Sequence, residues 1–246
     1  MRPLRNTAWA PRFLLAALLL AAPWGEAQAA PAAVEQGQTA GNGNVQRLAR
    51  WVVRSGDARS RPFIIIDKAQ ARVFAYHADG TPAGDTPALL GVAHGDVSPP
   101  GIGSRKLADI GPADRITPAG RFEAAMGRDL TNDVLWVDYD AAISLHRVVT
   151  TNTAEHRLAR LATASTADKR ISFGCINVPA AFYEKTVAPL FRPADGMVYI
   201  LPERSLFSSV FAAAALPSLA MSDAMPNASA RDGMTSRSAP GQRTGP

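Results

Sequence analysis

Cysteine is nearly absent: the 246-residue chain holds one, Cys175, beside only four histidines. A single cysteine cannot close an intramolecular disulfide, so no disulfide framework organises this fold. There is no zinc spacing, and Asp109, Asp114, Asp138 and Asp140 lack metal-ligand spacing to any histidine, so no metal and no cofactor is assigned. Gly101-Ile102-Gly103 follows a double proline instead of a strand, which excludes a phosphate-binding loop. A Gly-x-Ser-x-Gly elbow is missing, and with it a serine hydrolase of that type. Basic runs and aromatic-basic interleaving are missing too, which argues against a nucleic-acid partner. No internal repeat is present.

The longest apolar run, FLLAALLLAA at 13–22, follows Arg2, Arg5 and Arg12, with no acidic residue before Glu26. About ten apolar residues are too few to span roughly 30 Å of hydrocarbon. The run ends at Pro23, and Ala27-Gln28-Ala29 puts small residues where a signal peptidase reads them, the three-part pattern of a secretory signal at 1–29. Loss of that segment removes three arginines and one glutamate and lowers the formal charge from +5 to +3. The expected product is exported to the periplasm or cell wall, has no membrane span after cleavage, and is mildly basic. That charge suits contact with anionic wall polymers, or simply solubility. Its oligomeric state is left open.

Residues 30–60 read as a small, polar linker (30–44) and a short amphipathic stretch (45–53). The body begins near 61 with FIIID at 63–67, a β-branched apolar run expected as a buried strand. Further strands are expected at 71–76, 88–93, 121–124, 134–139, 142–146 and 197–202, with an Asp-Gly turn at 79–80. Residues 94–120 are rich in Gly and Pro and form a long irregular excursion, of a length usually functional or disordered. Helices are expected at 153–161, at 179–190 with Pro179 at its start, and as a short segment within 207–219. The tail at 205–246 drifts into Ala, Ser, Pro and Gly and is expected to be largely disordered. The fold class is mainly β, a β-rich mixed sheet or sandwich with a few short helices.

In an oxidising compartment an unpaired thiol needs a reason to be kept. Cys175 follows Ser172-Phe173-Gly174, where a glycine permits close backbone approach and the amides of Phe173, Gly174 and Cys175 could face an oxyanion. A free thiol is only on the order of a few per cent thiolate at pH 7, so nucleophilic chemistry needs an imidazole nearby. His77 sits by a turn, His94 at a strand end, and His156 in a charged helical stretch. His146 ends an apolar strand, which places its ring at the sheet rim.

Four features together resemble the L,D-transpeptidase catalytic domain (the YkuD family). They are Asp67-Lys68 on the opening strand, Thr117-Pro118-Ala119-Gly120-Arg121-Phe122, the strand ending at His146, and Ser172-x-Gly174-Cys175-x-Asn177. The resemblance covers about 61–202. It implies a cell-wall enzyme whose cysteine attacks a peptidoglycan stem peptide and forms a thioester, resolved by an amine or by water. Carried over, Cys175 is the nucleophile, His146 the general base, and the Arg147 carbonyl the group that orients the imidazole. Ser172 braces the cysteine loop and Gly174 contributes an oxyanion donor. Phe173 stands where the family often has His, and Asn177 takes the family's Arg/Asn position in substrate binding. The gap from His146 to Ser172 is 25 residues, longer than usual, whereas His156 would leave 15. The hydrophobic strand before His146 selects it, and the extra length becomes an insertion whose helix lies over the cleft. Two other readings compete: a catalytically weakened peptidoglycan-binding protein, motivated by Phe173, and a cysteine peptidase or amidase of the wall.

Overall fold

The computed structural model describes residues 32–215, with side chains described from Gly43 on. The expected export signal at 1–29 and the tail beyond 215 lie outside the described residues.

A long helix α1 (Ala32–Ser55) leads into strands β1 (Phe63–Asp67), β2 (Arg72–Tyr76), β3 (Pro82–Pro87) and the two-residue β4 (Leu90–Gly91). The excursion that follows holds three short 3-10 turns. Then come β5 (Gly120–Asp129), β6 (Asn132–Asp138), β7 (Ile143–Arg147), a short helix α2 (Arg157–Ala162), β8 (Arg170–Ser172) and β9 (Ile176–Val178). Helix α3 (Ala180–Phe182) passes through a π-helical turn (Tyr183–Val187) into α4 (Ala188–Phe191), followed by β10 (Gly196–Ile200), α5 (Phe207–Val210) and α6 (Ala212–Ala215). Eight strands form one mixed sheet in the order β3-β2-β1-β10-β5-β6-β7-β9, while β4 and β8 pair separately. The expected β-rich mixed sheet is the architecture observed, and its helices are short apart from α1.

β1 is apolar from Phe63 to Ile66 because both its faces are buried. Ile64 and Ile66 enter a core with Val198, Ile200, Tyr183, Val187 and Phe191; Phe63 and Ile65 enter a second with Leu48, Val52, Tyr199 and Phe211. The second core corrects two expectations. Residues 32–44, read as linker, continue α1. Residues 205–215, read as the start of a disordered tail, bury Phe211 and Ala214 against α1 and the sheet. Strand β3 has no counterpart in the sequence reading, which passes from the turn at 79–80 to the strand at 88–93. It pairs only with β2 at the sheet edge, where missing donors are tolerated. The expected helix at 153–161 is a 3-10 turn and α2, separated at His156 by a left-handed residue with φ 48°.

The site rests on the other end of the sheet. β7 and β9 run parallel, pairing His146 with Asn177 and Arg147 with Val178. That register brings the strand ending in His146 alongside the cysteine loop, although 25 residues separate His146 from Ser172 in sequence.

Candidate active site

Leu145 and Ile143 point into the first core, so Ser144 and His146 take the opposite face of β7. On that face Ser144 Oγ donates to Cys175 Sγ at 3.7 Å, and the thiol lies 3.6 Å from the Ala142 carbonyl oxygen. The His146 ring hydrogen-bonds the same sulfur. Its Nδ1 lies 2.7 Å from the Arg147 carbonyl oxygen, an acceptor only, so Nδ1 carries the proton and Nε2 is left for the thiol. Burial alone would push the Cys175 thiol up. The hydrogen bond and charge of His146, with contacts from Ser144, outweigh it and hold the thiol below its ordinary range. Burial would likewise push His146 down, but its bond to Cys175 and to the Arg147 carbonyl hold it above the ordinary histidine value. The arrangement favours proton transfer from sulfur to imidazole, the preparation a thiol nucleophile needs.

The remaining histidines stand elsewhere. His156 is exposed at the start of α2, His77 is exposed, and His94 pairs with Glu203 at 2.7 Å. The histidine chosen for its strand is therefore the one beside the sulfur, and the one chosen by spacing is not.

The cysteine loop is braced from within and from below. Ser172 Oγ donates to the Cys175 carbonyl at 2.6 Å and accepts the Gly174 N–H at 3.1 Å. That second bond departs from expectation: the Gly174 amide is already committed to Ser172 and faces no oxyanion. Among the described residues no protein group accepts the Cys175 N–H, which makes it the backbone donor still free at the reacting sulfur. Gly174 has φ +133°, and a Cβ there would lie 2.7 Å from the Ile116 carbonyl oxygen and 2.6 Å from Ile143 Cδ1. Only glycine fits so close a strap.

Lys68 and Thr117, from two of the motifs noted in the sequence, are tied to the cysteine loop. Thr117, fully buried, donates from Oγ1 to the Gly174 carbonyl at 2.7 Å and accepts the Gly91 N–H at 2.9 Å. The buried Lys68 ammonium donates to the Thr117 carbonyl at 2.9 Å, to Asp96 at 2.8 Å and to the Gly95 carbonyl at 2.5 Å. The excursion at 94–120 is thus tied under the cysteine loop through one buried cation. It also walls a cavity of about 350 Å³ whose lining includes Pro118, Phe122, Asp138, Asp140 and Ala141, next to the Ala142 carbonyl that touches the sulfur.

One residue assigned by resemblance is placed differently from expectation. Asn177, expected to meet substrate, is 1% exposed. Its amide nitrogen donates to the Cys175 carbonyl at 3.3 Å and its amide oxygen accepts Arg157 Nη1 at 2.7 Å, so the side chain is spent inside the protein. Arg157, also paired with Glu155, comes from the insertion and closes over Asn177. Phe173 does not stand alone either: the Arg115 guanidinium lies over its ring at 3.8 Å. The Arg147 side chain binds Asp133 at 2.7 Å and Glu184 at 2.5 Å, anchoring the end of β7 whose carbonyl holds His146. Sequence reasoning missed Ser144, although strand alternation puts it on the face of His146. Arg115 carried no local signal because it reaches the site from an irregular segment, and Arg157, the first residue of α2, because helical position alone does not show that its side chain meets Asn177.

No protein-family model and no curated protein matches the sequence. Solved structures do, most of them of L,D-transpeptidases. The helical cell shape determining protein Pgp2 from Campylobacter jejuni is 16% identical over 59% of this chain and 49% of that one, with a TM-score of 0.39. An L,D-transpeptidase from Xylanimonas cellulosilytica is 15% identical over 57% of this chain and 60% of that one, with a TM-score of 0.34. The catalytic domain of the Enterococcus faecium L,D-transpeptidase is 17% identical over 58% of this chain and 98% of that one, with a TM-score of 0.35. The chain thus spans about half to three-fifths of the first two. At these identities and scores the functional argument rests on the site itself.

Proposed function

We propose that the protein is an exported cysteine acyltransferase acting on peptidoglycan stem peptides, an L,D-transpeptidase. The observation that carries this reading is the Cys175–His146 pair, hydrogen-bonded, with the thiol held down and the imidazole held up. The motifs around it supply the substrate class by resemblance, and the N-terminal pattern supports export.

The Cys175 sulfur attacks a stem-peptide carbonyl carbon as its proton passes to His146 Nε2. The new C–S bond gives a tetrahedral oxyanion, to which the Cys175 N–H donates. Collapse breaks the C–N bond, and the imidazolium returns the proton to the departing amine of the terminal residue. A second amine, or water, then gives its proton to His146, attacks the thioester and regenerates the thiol. The Arg147 carbonyl keeps the imidazole in one tautomer throughout and stands in for a triad carboxylate. An amine acceptor gives crosslinks or protein attachment; water gives hydrolysis.

Incubation with a carbapenem tests the reading. The expected result is an intact-mass increase of one inhibitor in the wild type and none in Cys175→Ala. If the wild type stays unmodified while Cys175→Ala retains peptidoglycan binding, the protein is a wall-binding module instead.

A further inference from the structure

Among the described residues Arg115 is a cation without a carboxylate, and it stacks on the cysteine loop at Phe173. It lies in the excursion that straps the cysteine loop, and its neighbour Ile116 supplies the carbonyl oxygen that crowds Gly174. Its guanidinium lies 3.8 Å over the ring of Phe173, two residues before Cys175. Nε and Nη2 both donate to the Ile110 carbonyl, at 3.1 and 3.0 Å, which fixes the plane of the group and, among the described residues, leaves Nη1 with no protein partner. The acid adjacent in sequence, Asp114, is committed to Arg105 at 3.1 Å, and among the described residues no carboxylate pairs with Arg115. The side chain is partly exposed. A guanidinium held flat, with an edge donor open and its charge uncompensated, is the group that recognises carboxylates.

We infer that Arg115, seated on Phe173, is a substrate-binding residue that takes a free carboxylate of the acyl-donor peptide next to Cys175. This rests on the acyl-transfer reading and names what that site selects: an acidic peptide, in preference to its carboxamide counterpart. It also gives Phe173 a task, since an aromatic face holds a guanidinium through cation–π attraction where an imidazole would compete with it in charge.

The test uses two tetrapeptide stems, one with its side-chain carboxylates free and one with them converted to carboxamides. In the wild type the free-acid stem is expected to acylate Cys175 with a kcat/KM higher by roughly tenfold or more. In Arg115→Gln the ratio between the two stems should fall to about 1, with Arg115→Lys in between and Phe173→Ala reduced. A wild type indifferent to the carboxylates, or a ratio unchanged in Arg115→Gln, overturns the inference. A merely structural strut would slow both stems alike and leave the ratio intact. If neither stem forms a thioester, affinities of the same pair for Cys175→Ala, measured by calorimetry, decide the matter separately. Preference for the acid then keeps the carboxylate site while acyl transfer falls, and equal affinities remove the site.

Discussion

His146 and Arg147 are sequence neighbours, and the carbonyl oxygen of the second holds Nδ1 of the first at 2.7 Å. The contact is built into the end of β7, so the orienting acceptor needs no third residue from elsewhere. Arg147 is itself fastened by Asp133 and Glu184, and the carbonyl cannot drift far from the ring.

His146→Ala removes the proton acceptor at the sulfur. Acylation of Cys175 should fall by roughly 10²–10⁴-fold, while His156→Ala, an exposed position, should leave it near the wild-type rate. Single-turnover acylation followed by mass measures both. The opposite ranking would move the base to the insertion.

The direction of the thiol shift sets a pH profile. Because the folded thiol lies below its ordinary value, its reaction with iodoacetamide should reach half-maximum at lower pH than a free cysteine does. In His146→Ala the bond and charge that lower it are gone and burial remains, so the midpoint should move up, past that of free cysteine. A midpoint insensitive to His146 would separate the two side chains chemically.

Thr117→Val keeps the shape of the side chain and deletes its hydroxyl, leaving the Gly174 carbonyl and the Gly91 N–H without their buried partner. The expected cost is about 1–3 kcal/mol in stability, together with slower acylation. Thr117→Ser, which keeps the hydroxyl, should recover most of both. Chemical denaturation and acylation rates read the two effects, and a fully active Thr117→Val would remove Thr117 from the support of the cysteine loop.

How much of this was legible in the sequence follows from how local each signal is. The buried strand β1 showed in its unbroken β-branched run, and the β-rich fold in the alternation of the later strands. His146 was legible because a hydrophobic strand precedes it, and Cys175 because glycine and serine frame it. Strand β3 was hidden by its prolines, which an edge position tolerates. The burial of Phe211 and Ala214 was hidden because the apolar partners lie in α1, more than 150 residues earlier. Arg115 reaches the site from an irregular loop and Arg157 from the start of α2, 20 residues before its partner Asn177, so neither contact follows from local periodicity. The same holds for the Gly174 amide, whose commitment to Ser172 depends on backbone angles that no residue pattern states.

The central claim is that Cys175 becomes acylated by a wall peptide, and the most direct test is to trap that thioester. The mature protein would be mixed with a tetrapeptide stem, quenched in acid, and its intact mass and peptide map recorded. The account predicts a mass gain equal to the stem less its free terminal amino acid, mapped to Cys175, with that amino acid released in equal amount. A protein that binds the stem but gains no mass at Cys175 would contradict it.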